Sequence, residues 1–456
     1  MRRAWPAIGL WVLSLIFALN TGRDLAYNTF YLLTSVIVLS YLWAWSNING
    51  VRLSRYTRSR RSQVGKTADE QLEVHNLSYI PKLWLEVRDG SNLPGHQVSR
   101  VVTSLGGRRR RRWTVRTLCQ QRGRFTLGPM TIASGDPLGL FRLERTIPAT
   151  APFIVYPATV DLLTFSPQEG QLSGGEAIQR RTHHITTNVS GVRDYEPGDS
   201  FNRIHWRSTA RTGRLIVKEF ELDPAADIWL FLDMDREVQW FTPRAEPAPA
   251  SLSPEISWAA EKPSLRLMPS TEEYVVTIGA SLAKHFLTRN RAVGLIAYAR
   301  QREVVQADRG ERQLTKILEA LAVMRADGRV AFSQVLSAEG RYLSRNGTII
   351  AVTPSPDLDW VRSLRELGRR GLRAVAILVA ANTFGRAQPP EAALTELNLS
   401  GIPAYLVRRD DPLDAALSRL AQPGEAKAPS MPSGLERAGA PPAQPTPTVE
   451  PNGRLL

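Results

Sequence analysis

Two stretches near the start of the chain, WPAIGLWVLSLIFALN (5–20) and FYLLTSVIVLSYLWAW (30–45), contain no charged side chain. Each falls slightly short of the roughly 20 apolar residues that cross a bilayer as a helix. Tyr27, Tyr31, Tyr41, Trp43 and Trp45 extend them into the interface, where amphipathic rings are favoured. The expectation is a transmembrane hairpin over residues 1–50, with helices about 5–21 and 29–46. The rivals are a secretory signal and a buried helical hairpin. Against a signal, no small-residue cleavage site follows the first run, and a second apolar run arrives at once.

The flanking charge sets an orientation. Arg2 and Arg3 precede the first run, and Arg52, Arg55, Arg58, Arg60 and Arg61 follow the second. The turn between them, TGRDLAYN, carries one Arg and one Asp. The positive-inside rule then predicts a two-helix cell-membrane protein with both ends on the cytoplasmic side. The chain's net charge of +15 is accounted for by an acidic leaflet, so nucleic acid is not required. Its single cysteine, Cys119, excludes an intramolecular disulfide and a thiolate metal cluster.

Residues 66–156 read as β. EQLEVHNLSYIPKLWLEVRDG alternates apolar and polar residues between turn signals, and later segments add short strands broken by Gly and Pro. A small sandwich or barrel is expected. Between Asp89 and Asp136 there is no carboxylate but there are nine arginines. Arg108, Arg109, Arg110, Arg111 and Arg112 form the densest run. They are predicted to be a solvated hairpin tip or a membrane-surface patch. Base-stacking aromatics are sparse around them, which points away from nucleic acid.

From about residue 225 to 420 strands alternate with amphipathic helices: DIWLFLD, AVGLIAY, GTIIAVT, RAVAILV and IPAYLV are the strands. That alternation predicts a parallel sheet covered on both faces. Ser270 and Glu273 stand at capping-box spacing before one of the helices. A Pro-rich insertion (239–269) interrupts this region, and a Pro/Ala/Gly-rich stretch (421–456) reads as a disordered tail. The expected fold class is therefore multi-domain: a membrane hairpin, a small all-β domain and an α/β domain.

Between the β and α/β regions lies GVRDYEPGDSFNRIHWRSTARTGRLIVKEFE (191–221), within a segment bounded at 175–224. It mixes basic and acidic residues around His205 and Trp206. EPGD is a turn, with Pro197 fixing φ and Gly198 allowing positive φ. Arg193, Asp194, Asp199, Arg207 and Arg211 are candidates for an internal ion-pair network. The segment resembles the signature of the bacterial family called domain of unknown function 58, matching at Gly191, Arg193, Tyr195, Gly198, Asp199, Arg203, Ile204, Trp206, Ala210, Arg211, Lys218 and Glu221. Arg207 stands where Lys is also common. Upstream, RGRFTLGP (122–129) and GDPLGLFR (135–142) resemble further family segments.

The resemblance implies a von Willebrand factor A-like domain after the signature. Such domains often hold a divalent cation through Asp-x-Ser-x-Ser, a Thr and an Asp. Here Asp233, Met234, Asp235, Arg236 and Glu237 follow the first strand, and Pro354 follows Thr353. The implied site is degenerate, so neither metal nor cofactor is expected. The resemblance also implies partners: a MoxR-class AAA+ ATPase and a membrane protein with a transglutaminase-like domain. The expected function is a membrane-anchored scaffold, not an enzyme, with a partner surface at Gly191, Arg193, Tyr195, Gly198, Asp199, Arg203, Trp206, Arg207, Arg211, Lys218 and Glu221. The alternatives are a hydrolytic or metal-dependent enzyme and a membrane-tethered nucleic-acid binder. The enzyme would use Asp199 and His205 with Ser200 or Ser208, or else Asp233 and Asp235. No nucleophile elbow surrounds either serine. The adjacent His183 and His184 point to opposite faces if on a strand and so do not suggest a metal pair.

Overall fold

The structure is a computed structural model that describes residues 5–162, 165, 189–196, 201, 204–220, 227–241 and 267–421. The segment 175–188, the centre of the Pro-rich insertion and the stretch after residue 421 lie outside those residues.

Two apolar helices open the chain, α1 (Trp5–Thr21) and α2 (Asp24–Ile48). They are joined side to side, with the Trp11 indole donating to the Thr34 hydroxyl at 2.7 Å. One of them, α2, is long and apolar enough to cross a membrane. At 1.5 Å per residue, 25 residues reach about 37 Å, past a hydrocarbon core of about 30 Å. The 17 residues of α1 reach only about 25 Å, so the expectation of two equivalent spans is corrected to one helix of sufficient length. Helix α2 also begins at Asp24 rather than near residue 29, because the short turn closes at Gly22.

The β-rich region starts at Val51, immediately after α2, rather than at residue 66. Strand β1 (Val51–Thr57) pairs with β3 (Thr67–Asn76), which pairs with β6 (Arg110–Leu118), all antiparallel. A second antiparallel sheet runs β5 (Arg100–Leu105), β4 (Lys82–Asp89), β8 (Met130–Gly135), β9 (Arg142–Ile147). These two sheets share one core of Leu53, Leu72, Val74, Leu85, Val87, Trp113 and Ile132. A third sheet, β2 (Arg61–Gln63), β10 (Ala151–Tyr156) and β7 (Gly123–Leu127), closes over Cys119, Leu127, Phe153 and Val155. Burial pushes the Cys119 thiol pKa up, which suits an inert core sulfur.

A two-stranded unit follows, β11 (Val189–Asp194) against β12 (Ile216–Phe220), with helix α3 (Trp206–Thr212) between them in sequence. The α/β region then builds a six-stranded sheet in the order β15-β14-β13-β16-β17-β18. Its strands are β13 (Ile228–Leu232), β14 (Val293–Tyr298), β15 (Arg302–Asp308), β16 (Thr348–Thr353), β17 (Arg373–Val379) and β18 (Ala404–Val407). All pair in parallel except β15, the antiparallel edge. Alternate residues of β13 enter opposite cores. Ile228, Leu230 and Leu232 pack with α4 (Thr271–Thr288) and α5 (Glu311–Val323). Trp229 and Phe231 pack with α6 (Phe332–Gly340), α7 (Asp359–Arg369) and α8 (Glu391–Leu399). Burial on both faces explains the continuous apolar runs in these strands.

One side chain ties the β-rich region to the α/β region. Arg122, just before β7, is fully buried. Its Nη2 meets Glu272 at 2.5 Å and the Met324 carbonyl at 2.7 Å. Its Nε donates to the Leu321 carbonyl at 3.1 Å, and Nη1 pairs with Glu273. Glu273 is therefore the ion-pair partner of Arg122, and the predicted capping box does not form. Ser270 occupies the N-cap position of α4 without a side-chain cap hydrogen bond. Arg122→Ala would strand two half-buried carboxylates and two carbonyls. A loss on the order of 3–5 kcal/mol is expected in unfolding of the purified full chain in detergent. Arg122→Lys, which lacks the planar fork, should recover only part of it. Wild-type stability in Arg122→Ala would show that the bridge is not a stabilising joint.

Candidate functional site

Two places carry chemistry: the signature unit, and the carboxyl ends of β13 and β16. In the signature unit, Gly191 sits at a register shift of the β11–β12 ladder, where an extra residue is accommodated. Arg193 lies opposite Val217 and donates through Nη1 to the Asp194 carbonyl at 3.0 Å. The Tyr195 amide donates to the Leu215 carbonyl at 2.9 Å, and its ring stacks on Phe201 at 6.1 Å. Lys218 lies opposite Val192 on β12. Gly198, Asp199, Ser200, Arg203 and Glu221 lie outside the described residues, as do His183 and His184.

Helix α3 is short and capped at both ends. His205 is its N-cap, with Nδ1 accepting from the Ser208 amide at 3.2 Å and lying 2.6 Å from the Ser208 hydroxyl. Gly213 closes the other end at φ +67, a left-handed conformation that favours glycine. Thr209 then accepts from the Ile216 amide at 3.0 Å, joining helix to strand. Ile204, Ile216 and Val217 form the buried seat of the unit. Its other side is open: Trp206 is 66% exposed, and Val192, Phe201 and Leu215 are also exposed. Arg207 and Arg211 point outward one turn apart, and among the described residues neither meets a carboxylate. Asp199, a carboxylate that the expected ion-pair network names, lies outside the described residues.

His205 and Ser208 are brought within hydrogen-bond distance, as the enzyme reading requires. Their bond is also the local N-cap geometry of a helix three residues apart, which holds α3 in place. Asp199, the third member that reading names, lies outside the described residues.

The second place is the topological switch point, where β13 is flanked by β14 on one side and by β16, reached only after β15, on the other. Open α/β sheets present ligands at the carboxyl ends of strands at such a point. Here it is filled by the chain's own groups. Asp233 is 1% exposed, and its Oδ2 accepts from the Thr353 hydroxyl at 2.5 Å while Oδ1 accepts from the Asp235 amide at 3.1 Å. Gln239 donates to the Asp233 carbonyl at 2.8 Å. Asp235 accepts from the Glu237 amide at 3.2 Å, and Glu237 faces solvent. Gly328 lies across the loop, donating to the Met234 carbonyl at 3.0 Å. A Cβ there would stand 2.3 Å from the Tyr298 carbonyl oxygen, so only glycine fits.

These residues do not fit a divalent cation. Asp233, Asp235 and Glu237 point to different partners, and both Asp233 oxygens are already engaged. Among the described residues no three His, Cys, Asp or Glu side chains are grouped to hold a metal ion. Burial raises the Asp233 pKa to about 7, against hydrogen bonds from Thr353 and Asp235 that lower it. Two surface grooves, of 690 and 420 Å³, are lined by other residues, Arg302, Glu339 and Tyr342 in the first and Arg369 and Arg373 in the second.

The Arg108–Arg112 run is divided by its hairpin. Arg108 donates to the Tyr79 hydroxyl at 2.8 Å and lies over its ring at 4.4 Å. Arg110 and Arg112 both pair with Glu73, and Arg111 donates to the Thr103 carbonyl at 3.1 Å. The run is thus partly neutralised and is not one uniform patch.

Comparison with known proteins places the signature. Residues 191–246 match the family described as Protein of unknown function DUF58. The Bacillus subtilis (strain 168) protein named Uncharacterized protein YeaD is 21% identical over 380 residues, covering 79% of this chain and 84% of that protein. Both findings support the DUF58 family. Among solved structures, BatB from Bacteroides thetaiotaomicron, a conserved hypothetical protein, aligns at a TM-score of 0.28 and 12% identity. It covers 42% of this chain and 95% of that one. The CARDB domain of PF1109 from Pyrococcus furiosus aligns at 0.19 and 20% identity, covering 23% of this chain and 91% of that one.

Arg122 is the residue that pattern reading passed over. It stood in RGRFTLGP as part of a resemblance, with nothing local to mark it as buried. For Asp233, the folded chain keeps its proton to about pH 7, whereas the unfolded chain releases it near 3.8. The group's contribution is complete below that ordinary value and is lost progressively as pH rises to about 7. Asp233→Asn should flatten this dependence in chemical unfolding measured across that window. An unchanged slope would show that Asp233 is ionised in the folded chain. Asp233→Ala orphans the Thr353 hydroxyl and should cost about 1–3 kcal/mol.

Proposed function

We propose that the chain is a membrane-anchored scaffold facing the cytoplasm, in which the DUF58 signature unit docks a partner ATPase of the MoxR AAA+ class. The observation that carries the reading is the open side of that unit. Trp206, 66% exposed, stands beside outward-facing Arg207 and Arg211 on a helix whose own caps and seat are satisfied. An aromatic flanked by guanidiniums is the composition favoured at interface hot spots. The two cations suit an acidic partner surface.

Helices α1 and α2 form the anchor in this reading, a hairpin with both ends toward the cytoplasm, supported by the flanking arginines and by the length of α2. The six-stranded sheet is read as a von Willebrand factor A-like domain that has given up its cation site. The Asp233–Thr353 bond, closed on itself, supports a binding scaffold over catalysis at that point. A membrane protein with a transglutaminase-like domain is the proposed second partner. The resemblance, and no contact within this chain, suggests both partners.

The test is affinity purification of the tagged full chain from its native membrane, wild type against Trp206→Ala/Arg207→Ala. Both proteins are first shown to unfold at the same temperature. Recovery of an AAA+ ATPase with wild type, and its loss with the double variant, is expected. Equal recovery from both, or no ATPase with wild type, would reject the docking assignment.

A further inference from the structure

Helix α2 does not leave the membrane region and then begin a separate domain. Its C-terminal half packs against β4, β8 and β9 of the β-rich region. Ser40, Ala44, Asn47 and Ile48 are buried. Asn47 donates to the Gly135 carbonyl at 3.3 Å, and Lys82 donates to the Ser46 carbonyl. The sheet containing β4, β8 and β9 therefore rises alongside the helix. The loop joining β8 to β9, residues 136–141, reaches back along the helix to Tyr41. Phe141 meets Tyr41 edge to face at 5.6 Å. Tyr41 lies seven residues before the end of α2, which is about 10 Å along the axis. Exposed Tyr41, Trp43 and Trp45 form an aromatic belt on this part of the helix. Such belts mark the boundary between headgroups and hydrocarbon.

The loop is built to hold an apolar tip at that level. Asp136 accepts from the Leu138 amide at 3.0 Å through Oδ2 and from the Phe141 amide at 2.6 Å through Oδ1. The Gly139 amide donates to the Asp136 carbonyl at 3.2 Å, with Gly139 at φ +72. Both Asp136 oxygens are thus used inside the loop, and Asp136 itself is buried. What the loop turns outward is Leu138, 64% exposed, next to exposed Pro137. A single exposed leucine is ordinary on a protein surface; what distinguishes Leu138 is its place beside the aromatic residues of α2, to which its loop is joined through Phe141.

We infer that the 136–141 loop is a membrane wedge: Leu138 inserts into the interfacial layer of the bilayer beside α2 and fixes the height and tilt of the β-rich region on the membrane. The occupant is lipid because the loop is continuous with the aromatic belt of the helix and contacts it through Phe141. The inference rests on the reading of α2 as a membrane span, and the experiment separates the two.

Cys119 is buried, so a cysteine introduced at the surface can be labelled selectively. The full chain carrying Leu138→Cys, labelled with an environment-sensitive nitrobenzoxadiazole dye, is reconstituted in phosphatidylcholine–phosphatidylglycerol vesicles. Leu39→Cys, on an exposed face of α2, reports insertion of the helix, and Tyr342→Cys, exposed on the α/β region, reports bulk solvent. Spin-labelled lipids serve as quenchers. The expected result is a blue shift and quenching at position 138 by labels near the headgroup, quenching at 39 by labels deeper in the chains, and neither at 342. Quenching at 39 with none at 138 overturns the wedge and leaves the span standing. No quenching at 39 overturns the span and the wedge together. Quenching at 342 equal to that at 138 overturns the wedge as a local feature. Unchanged thermal unfolding of the labelled chains confirms that each reports the native fold.

Discussion

The arrangement of the two large folded regions depends on one guanidinium. Arg122 comes from the β-rich region but its partners all belong to the α/β region: Glu272, Glu273 and the carbonyls of Leu321 and Met324. A buried cation is tolerable only when its donors are satisfied and its charge is balanced. Two carboxylates on the first turn of α4 supply the balance, and the end of α5 supplies the carbonyls. Around this point the Arg61–Glu319 pair at 3.0 Å and the Tyr156 hydroxyl, 3.3 Å from Glu319, extend the joint. They are more exposed and contribute less. The joint couples a region fixed to the end of α2 with the sheet that carries the switch point. The β-rich unit and the α/β unit are thereby connected by polar contacts that require close geometry.

The switch point shows what the α/β region has become. An open sheet of this order offers a crevice at the ends of β13 and β16. Asp233 and Thr353 occupy it with each other. Burial raises the Asp233 pKa to about 7, and both of its oxygens are engaged by Thr353 and Asp235. Large side chains are exposed elsewhere, on the open side of the signature unit and at the loop beside α2.

Much of the architecture is legible in the residues. The charge-free run in α2 and the passage from a β-rich region to an α/β region follow from local pattern. So does the segment that matches the DUF58 family, through the spacing of its Gly, Arg and Trp residues. Other features are not legible. Strand β1 escapes notice because Arg55 breaks the alternation that Val51 and Leu53 begin, and only pairing with β3 reveals it. The capping box at Ser270 and Glu273 has the right spacing and the wrong outcome. A distant arginine competes for Glu273, and a buried ion pair outweighs a solvent-exposed cap.

The sequence by itself determined periodicity and apolar length, because these depend on neighbours within a few residues. The length and apolar character of α2, the two-faced burial of β13 and the turn at Gly213 are all local consequences. Only the tertiary structure decided where single polar groups are spent. Arg122 and Glu272 are 150 residues apart, and Asp233 and Thr353 are 120 apart. Whether such groups bind a ligand, catalyse or brace one another depends on what surrounds them after water is excluded. The height of Leu138 beside α2 is of the same kind. It follows from the packing of Phe141 on Tyr41, which no local spacing encodes.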